Sequence, residues 1–307
     1  MRLYPNDTLD FHDMFPPEEA CAEHLIRLRW PDGFVCPHGQ ATRAWKKSTV
    51  LFRCASCRRD TSASSGAIFR QSHLPLRLGF QIMWEAMSQK HGASALGLSH
   101  ALGLSSHKTI AEALQKLRRA MIRPGRERLA GLIEADEIIV GGVRPGSPGR
   151  SRNSKVLAPA AVEDRGKNGI GRIRLSTIAD ASANTLEYTL RGMIEPRCSV
   201  RTDGWRGYQR LRSLGYGHRV MERKDTEPGV DTAPLAHRIS ALLKRWLPST
   251  HQGSVRPAHL QPYLNEFAFR FNRRHSHSRG LLFHRLLSIA VIIEPQPMRP
   301  GMSKHLR

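Results

Sequence analysis

The chain has 307 residues, 40% of them hydrophobic, which is enough for two or three folded domains and excludes a wholly disordered chain. Its 48 Lys and Arg residues against 26 Asp and Glu residues give a formal net charge of +22, which favours a polyanionic partner, nucleic acid first. No apolar run reaches the roughly 18 residues that span a bilayer, and the first residues lack a secretory signal, so we expect a cytoplasmic protein without a membrane partner.

Shifts in hydrophobic periodicity and clusters of turn residues predict five segments along the chain. They are an N-terminal helical lead-in (1–28), a β-rich zinc-ribbon module (29–71), a helix-turn-helix unit (72–128), an α/β domain (129–293) and a loose, proline-rich tail (294–307). The α/β prediction rests on short β-like runs after Leu132 that are followed by amphipathic helices.

Two cysteine-containing turns in the second segment are typical of a zinc ribbon, in which ligands on paired turns close a tetrahedral site. The second turn is Cys54-x-x-Cys57, whereas the first has a single cysteine because position 39 holds Gly. A histidine in the first turn can supply the fourth ligand, and so can Cys21 if its segment folds back. The alternative is a ribbon held together by packing alone, without metal. The predicted zinc ligands are Cys36, His38, Cys54 and Cys57.

The residues from Ser94 to Glu112 predict a short helix, a turn at Gly103 and a second helix that begins near Ser105 or Ser106, since serine is a favoured N-cap. An apolar stripe on the second helix leaves its basic residues available for phosphates or base edges. The alternative is an ordinary helical hairpin with a solvated basic face, but the high positive charge of the chain favours DNA. The predicted DNA contacts of this unit are Lys108, Lys116, Arg118 and Arg119.

Two aspartates in the fourth segment predict a metal site. Asp136 stands in an otherwise apolar strand, where a carboxylate is costly to bury unless it pairs or binds a metal, and Asp203 ends a second predicted strand. Carboxylates at strand ends of one sheet can hold Mg²⁺ or Mn²⁺, so together they favour a two-metal site for polynucleotide cleavage. Taken alone, Asp136 could form an ion pair with a nearby arginine, and Asp203-Gly204 could be a turn.

A third metal ligand is expected from a later helix that packs against the sheet, and the segment 233–247 is the best candidate. His237 and Lys244 are seven residues apart, so they return to one face of a helix after two turns. His237 could then bind metal while Lys244 binds a phosphate. Histidine binds Mn²⁺ better than Mg²⁺, so it should change the metal preference. The alternative is a histidine at the helix start without a metal role.

The motifs that suggest a family run along nearly the whole chain. They are residues 29–37 leading into Cys54-x-x-Cys57, Gly66–Phe69, Leu117–Met121, Asp136-Glu with Gly141-Gly142, Thr202–Tyr208, Leu243–Leu247 and Tyr263–Arg274. In this order they resemble bacterial insertion-sequence transposases with a zinc ribbon, a helical DNA-binding unit and an ISXO-type DDE domain.

The resemblance implies an RNase H-like fold, a five-stranded mixed sheet flanked by helices, in which Asp136 and Asp203 are the first two ligands of a pair of Mg²⁺ or Mn²⁺ ions. The third ligand of the family is usually Glu or Asn, seven residues before a Lys or Arg. Here that position is His237, before Lys244. The departure leaves two possibilities, an enzyme that uses His or a decayed copy that binds DNA without cutting it.

The implied reaction is nicking at the ends of an element, followed by attack of the freed 3′-hydroxyl on target DNA. Double-stranded DNA is the expected partner, and a homodimer is the expected form on DNA. A nuclease that cuts without joining and a non-catalytic DNA-binding remnant are the rival functions. Glu266 is the runner-up carboxylate, but the resemblance places it beyond the triad, where it should pair with an arginine of its own helix. Further predicted contacts to the DNA backbone are Arg245, Arg270, Arg273 and Arg274.

Overall fold

The structure, a computed structural model, divides the chain into two compact units, Met1–Pro124 with Ser276–Arg307 and Gly125–His275. Three predicted features, the Gly66–Phe69 motif, Gly142 of the Gly141-Gly142 pair and the tail 294–307, lie outside the described residues. Across the described part of the chain, no helix combines the length and apolarity needed to cross a membrane. The described residues are 3–64, 74–104, 106–123, 125–141, 155–221, 231–251 and 259–292.

Both units contain helices and strands. The helices are α1 (Thr8–Met14), α2 (Glu18–Arg29), α3 (Leu76–Ser88), α4 (Ala95–Ala101), α5 (His107–Ala120), α6 (Ala183–Met193), α7 (Pro234–His251), α8 (Leu260–Asn272) and α9 (Arg279–Ile292). The strands are β1 (Ala44–Lys46), β2 (Leu51–Cys54), β3 (Asp60–Ser62), β4 (Leu132–Val140), β5 (Val156–Asp164), β6 (Ile170–Leu175), β7 (Ser199–Thr202) and β8 (Gly217–Val220). Short 3₁₀ turns occupy Gly166–Asn168 and Arg206–Leu211.

The first unit is built around an aromatic core to which helices from both ends of the chain contribute. The ring of Phe11 in α1 lies 5.2 Å from that of Trp84 in α3 and 5.8 Å from that of Phe283 in α9, measured between centroids. Phe15 and Phe80 join the same buried cluster. Aromatic side chains bury large apolar areas, so this cluster stabilises the unit. Helix α9 therefore belongs with the N-terminal helices, which differs from the predicted domain limit of 129–293.

Helices α4 and α5 form the hairpin that the sequence predicted as a helix-turn-helix. Ser94 Oγ accepts a hydrogen bond from the Gly97 N–H at 3.0 Å, so α4 begins at a serine N-cap. Ser106 caps α5 in the same way, through the N–H of Thr109. Gly103, in the turn between the helices, has a φ of +64°, which residues with a side chain rarely adopt. The predicted helix starts and the predicted turn are confirmed.

The second unit contains a five-stranded mixed sheet with the strand order β6-β5-β4-β7-β8. Strand β4 pairs antiparallel with β5, which pairs antiparallel with β6. On its other side β4 pairs parallel with β7, which pairs parallel with β8. Together with the flanking helices, this sheet confirms the predicted α/β class and the predicted RNase H-like arrangement. Strand β8 was not predicted.

Helices cover both faces of this sheet. Helices α7 and α8 pack on the face that carries Ile138 of β4, and α6 packs on the face that carries Ile133. Side chains alternate between the two faces along a strand. Glu134 and Asp136 therefore share the face of Ile138, which is the face covered by α7. The candidate site lies where α7 begins on this face.

Candidate active site and zinc ribbon

Asp136 lies on β4, and Asp203 directly follows the end of β7, the adjacent parallel strand. The pairing of β4 with β7 places Glu134 opposite Arg201, so the next positions on the same face are Asp136 and Asp203. Neighbouring strands are about 4.8 Å apart, which brings the two aspartates side by side. The Asp136 side chain is 15% exposed, and Asp203 follows the last residue of β7 and is exposed. Both carboxylates can be reached from solvent.

The turn that carries Asp203 is held in place by the backbone and the side chain of Trp205. The backbone N–H of Trp205 donates to Asp203 Oδ1 at 3.0 Å. The Trp205 side chain donates from Nε1 to the carbonyl oxygen of Ala181 at 3.1 Å. These two hydrogen bonds fix the position of the Asp203 carboxylate. The sequence indicated the Thr202–Tyr208 motif but not these contacts.

Tyr208 is a second residue of this motif whose surroundings could not be predicted. Its side chain is 1% exposed and packs on the α6 face of the sheet. Burial, assisted by the negative charge of Glu137 and then of Asp136 and Asp203, raises the pKa of Tyr208. The phenol therefore stays neutral and supports the floor of the site from the side opposite α7.

His237 lies between two carboxylates at the start of α7. Its Nε2 is 3.3 Å from Oδ2 of Asp136, and its Nδ1 is 2.6 Å from Oδ1 of Asp231. The same Oδ1 of Asp231 accepts a hydrogen bond from the backbone N–H of Ala233 at 3.0 Å. The structure thus brings the predicted third ligand to Asp136 and adds Asp231, which the sequence reasoning missed.

The three contacts have a chemical consequence. When Nδ1 donates its proton to Asp231, Nε2 of a neutral imidazole carries only a lone pair, and this lone pair faces the carboxylate of Asp136. Two such acceptors attract each other only through a cation between them, either a proton on Nε2 or a metal ion. A carboxylate that holds the second nitrogen of a ligating histidine is a common feature of metal sites. Nε2 of His237 and the carboxylate of Asp136 are therefore a pair of donors suited to a cation, although among the described residues no third acidic oxygen lies within 4.8 Å of both.

Glu134 holds the start of α7 against the sheet. Its side chain is fully buried, and its Oε1 accepts a hydrogen bond from the N–H of Ala236 at 2.7 Å. Its Oε2 pairs with Nη2 of Arg201 at 2.9 Å, and the same Nη2 pairs with Asp164. Burial raises the pKa of Glu134 despite these contacts. This carboxylate sets the position of His237, the next residue after Ala236.

Only some of the predicted DNA contacts are available on the surface. Lys244 and Arg245 are exposed on α7, and Lys108 and Arg119 are exposed on α5, where Lys116 is half-buried. Arg118 is 3% exposed, because it lies four residues after Leu114 and so falls beside the buried stripe of the helix. We therefore withdraw Arg118 from the predicted DNA contacts.

The arginines of α8 and its end make contacts within the second unit. Nε of Arg270 is 2.9 Å from Oε1 of Glu266, and their side chains are 14% and 3% exposed, which confirms that Glu266 pairs with an arginine of its own helix. The guanidinium of Arg273 lies 4.0 Å above the ring of Phe269. Arg274 is exposed but donates to the carbonyl oxygens of Gly171 and Ile170. Arg270 in particular stabilises the fold and is poorly placed to contact DNA.

The zinc-ribbon segment forms a three-stranded antiparallel sheet, β1-β2-β3, with a thiol cluster beside it. Within the residues that the structure describes, Cys36, Cys54 and Cys57 make up the one group of three potential ligands whose donor atoms all lie within 4.8 Å of one another. Hydrogen bonds from backbone N–H groups, that of Cys57 first, lower the pKa of Cys54 to about 7. His38 is outside the cluster, and its Nδ1 lies 3.3 Å from Nη1 of Arg59.

Cys21 is also outside the cluster. It is fully buried in α2, and burial raises its pKa to about 12. A thiol of this kind stays protonated and packs as a small apolar side chain, whereas zinc binds the thiolate. Cys21 is therefore a poor source of a fourth ligand.

Two regions of the chain match known protein families. Residues 16–60 match the transposase zinc-ribbon domain, and residues 128–272 match the ISXO2-like transposase domain. A protein of Halobacterium salinarum, named as an uncharacterized protein in transposable element ISH50, is 26% identical over 277 residues, covering 83% of this chain and 91% of that relative. The first match contains the thiol cluster, and the second contains the sheet with Asp136, Asp203 and His237.

Proposed function

Because the chain belongs to the insertion-sequence transposases that carry a zinc ribbon and an ISXO2-like transposase domain, we propose that it nicks DNA at the ends of a mobile element and joins the freed 3′-hydroxyl to target DNA. The observation that carries the proposal is the position of His237 Nε2, 3.3 Å from the Asp136 carboxylate, beside the register position of Asp203.

In this proposal Asp136, Asp203 and His237 hold two Mg²⁺ or Mn²⁺ ions. Carboxylate oxygens suit both cations, and an imidazole nitrogen shifts the preference toward Mn²⁺. When bound, such ions activate an attacking hydroxyl and stabilise the charge on the leaving oxygen. Asp231 accepts the hydrogen bond of Nδ1 of His237 and so leaves Nε2 as the metal-binding atom, and Glu134 holds the turn of α7 on which His237 stands.

The basic residues supply the DNA contacts. Lys244 is exposed two helical turns after His237, so its ammonium group can bind a phosphate next to the cleaved bond. Lys108 and Arg119 on α5 are exposed for the phosphates or bases of an element end. We expect two copies of the chain to act together on DNA.

The function is tested with a DNA fragment that carries the inverted repeat flanking the gene. Purified protein with Mn²⁺ should produce both nicked and strand-transfer products, and Asp136→Ala and Asp203→Ala should each reduce them at least about a thousandfold, because bound metal supplies several kcal/mol of transition-state stabilisation. Asn184→Ala, which removes a contact to Arg210 on the surface of α6, is the matched control and should retain activity. Nicked DNA without joined products would instead identify a nuclease.

A non-catalytic DNA-binding protein is the second candidate, and the same contacts of His237 favour it. A protonated imidazole would pair with Asp136 and Asp231 simultaneously and would replace a metal ion by its own positive charge. In that case the protein shifts the DNA fragment in a gel, yields no cut product with either cation, and His237→Glu does not restore cutting.

A further inference from the structure

The first cysteine turn of the ribbon is closed by two backbone hydrogen bonds. The N–H of Gln40 donates to the carbonyl oxygen of Cys36 at 2.9 Å, and the N–H of Cys36 donates to the carbonyl oxygen of Ala41 at 2.9 Å. Gln40 has a φ of 58°, in the left-handed region that few residues other than Gly adopt. A non-glycine residue held in this conformation indicates that the turn imposes it.

The second cysteine turn repeats these contacts residue for residue. The N–H of Arg58 donates to the carbonyl oxygen of Cys54 at 3.1 Å, and the N–H of Cys54 donates to the carbonyl oxygen of Arg59 at 3.0 Å. Arg58 has a φ of 59°, which matches that of Gln40 within a degree. The two turns therefore superimpose in pattern, and Gly39 in the first occupies the position of Cys57 in the second.

Gly39 has the space for the side chain that it lacks. A Cβ atom built on Gly39 meets no heavy atom within 4 Å, and its φ is outside the positive range. A cysteine at this position would be neither crowded nor strained. The ribbon therefore retains the backbone for a fourth thiolate and lacks only the sulfur atom.

The three thiols that are present fit one zinc ion. Sγ of Cys36 and Sγ of Cys57 are 3.6 Å apart, close to the roughly 3.8 Å that separates two sulfur ligands at 2.3 Å from a tetrahedral zinc ion. Cys36 and Cys54 are buried, whereas Cys57 is exposed, as is Gly39. The side of the cluster without a thiol is therefore the side that faces solvent.

We propose that the ribbon binds zinc through three thiolates and that the fourth coordination position, beside Gly39, takes a ligand from solution. This ligand is water in the isolated protein and a small thiol when one is supplied. Structural zinc sites are normally closed by four protein ligands, and an open position is otherwise typical of catalytic zinc. The proposal rests on the ribbon alone, so it stands or falls independently of DNA cleavage.

Co²⁺ replaces zinc in the experiment, because its thiolate charge-transfer absorption grows with the number of sulfur ligands. The full chain is purified with a phosphine reductant that is not a thiol, loaded with Co²⁺ and titrated with 2-mercaptoethanol. Gly39→Cys should absorb about one third more strongly than the wild type, since four thiolates replace three. It should also bind zinc at least about tenfold tighter in competition with a chelator, on the scale by which a lost metal-site partner weakens binding.

The thiol titration provides the sharper comparison. 2-Mercaptoethanol should raise the absorption of the Co²⁺-loaded wild type toward that of Gly39→Cys and leave the variant unchanged, because its fourth position is already filled. His38→Ala should behave as the wild type does in both the titration and the zinc competition. This second variant keeps the test valid if Gly39→Cys folds poorly.

Three results would overturn the proposal. If the wild type already shows four-thiolate absorption, or if its absorption does not change when 2-mercaptoethanol is added, the protein itself closes the fourth position. Zinc affinity reduced tenfold or more in His38→Ala assigns that position to His38. A wild-type chain that retains neither zinc nor Co²⁺ shows a ribbon held by packing alone.

Discussion

One residue of the candidate active site departs from the expected ligand set. His237 stands where the resemblance leads one to expect Glu or Asn, and its Nε2 faces Asp136 while Asp231 holds its Nδ1. Imidazole nitrogen is a softer ligand than a carboxylate oxygen, so the chemistry of the site at this residue differs from that of an all-oxygen site.

We expect His237→Glu to move the metal preference of DNA nicking from Mn²⁺ toward Mg²⁺, because a third carboxylate suits the harder ion. The measurement is the ratio of nicking rates in the two cations for the wild type and the variant. His237→Ala is the control and should lose activity in both. An unchanged ratio in His237→Glu would remove His237 from the metal ligands.

Asp231→Asn tests the residue that holds His237. The amide cannot accept the Nδ1 proton as strongly as a carboxylate does, so the imidazole loses its fixed tautomer and orientation. We expect Mn²⁺ to bind about 10 to 100 times more weakly, with a parallel increase in the Mn²⁺ concentration needed for half-maximal nicking. Loss of the maximal rate at saturating Mn²⁺, with no change in metal dependence, would show that Asp231 acts in another way.

At the scale of secondary-structure elements, the basic residues of helix α5 differ in how deeply they are buried. Lys108 and Arg119 are exposed, while Arg118 lies beside the buried stripe that contains Leu114. Helical periodicity makes this difference, since neighbouring residues along the chain point about 100° apart. Basic residues of the same helix therefore differ in their access to solvent.

We expect Lys108→Ala and Arg119→Ala each to weaken DNA binding and to reduce the slope of log affinity against log salt by about one, as one phosphate contact is lost. Arg118→Ala is the matched control on the same helix. It should leave the slope unchanged and lower the melting temperature, because a packed side chain is removed. A reduced slope in Arg118→Ala alone would show that α5 faces DNA with its other side.

At the scale of the whole molecule, the first unit has an aromatic core to which helices from both ends of the chain contribute. His24 of α2 is 4% exposed within its aromatic core, next to Phe15 and Phe80. Burial, followed by the charges of Arg27 and His284, lowers the pKa of His24 from 6.5 to about 4. A proton added to this ring would therefore be unfavourable in the folded protein.

The pH dependence of stability follows from this shift. Between pH 6.5 and about 4 the unfolded chain binds a proton at His24 and the folded chain does not. The free energy of unfolding therefore decreases as the pH falls through this range, by up to about 3 kcal/mol. Calorimetry at pH 7.5 and pH 5 should show a smaller loss of melting temperature in His24→Leu than in the wild type. Equal losses would mean that other groups determine the acid sensitivity.

Much of the second unit could be predicted because its signals are local. Asp136 in an apolar strand and His237 seven residues before Lys244 each follow from the sequence, and the structure contains both the strand and the helix. Strand β8, with the sequence Gly-His-Arg-Val, was missed because its four residues do not alternate between apolar and polar side chains. The strand is stabilised by its pairing with β7, a contact that its own sequence does not indicate.

The sequence by itself determined the kinds of element, the two cysteine turns and the candidate site residues Asp136, Asp203 and His237, since periodicity, caps and ligand spacing are properties of neighbouring residues. Only the tertiary structure decided that Asp231 and Glu134 orient His237, that Arg118 is buried, and that α9 joins the first unit. These outcomes depend on contacts between residues far apart in the chain, where burial and hydrogen bonding to a distant partner determine the energy of each side chain.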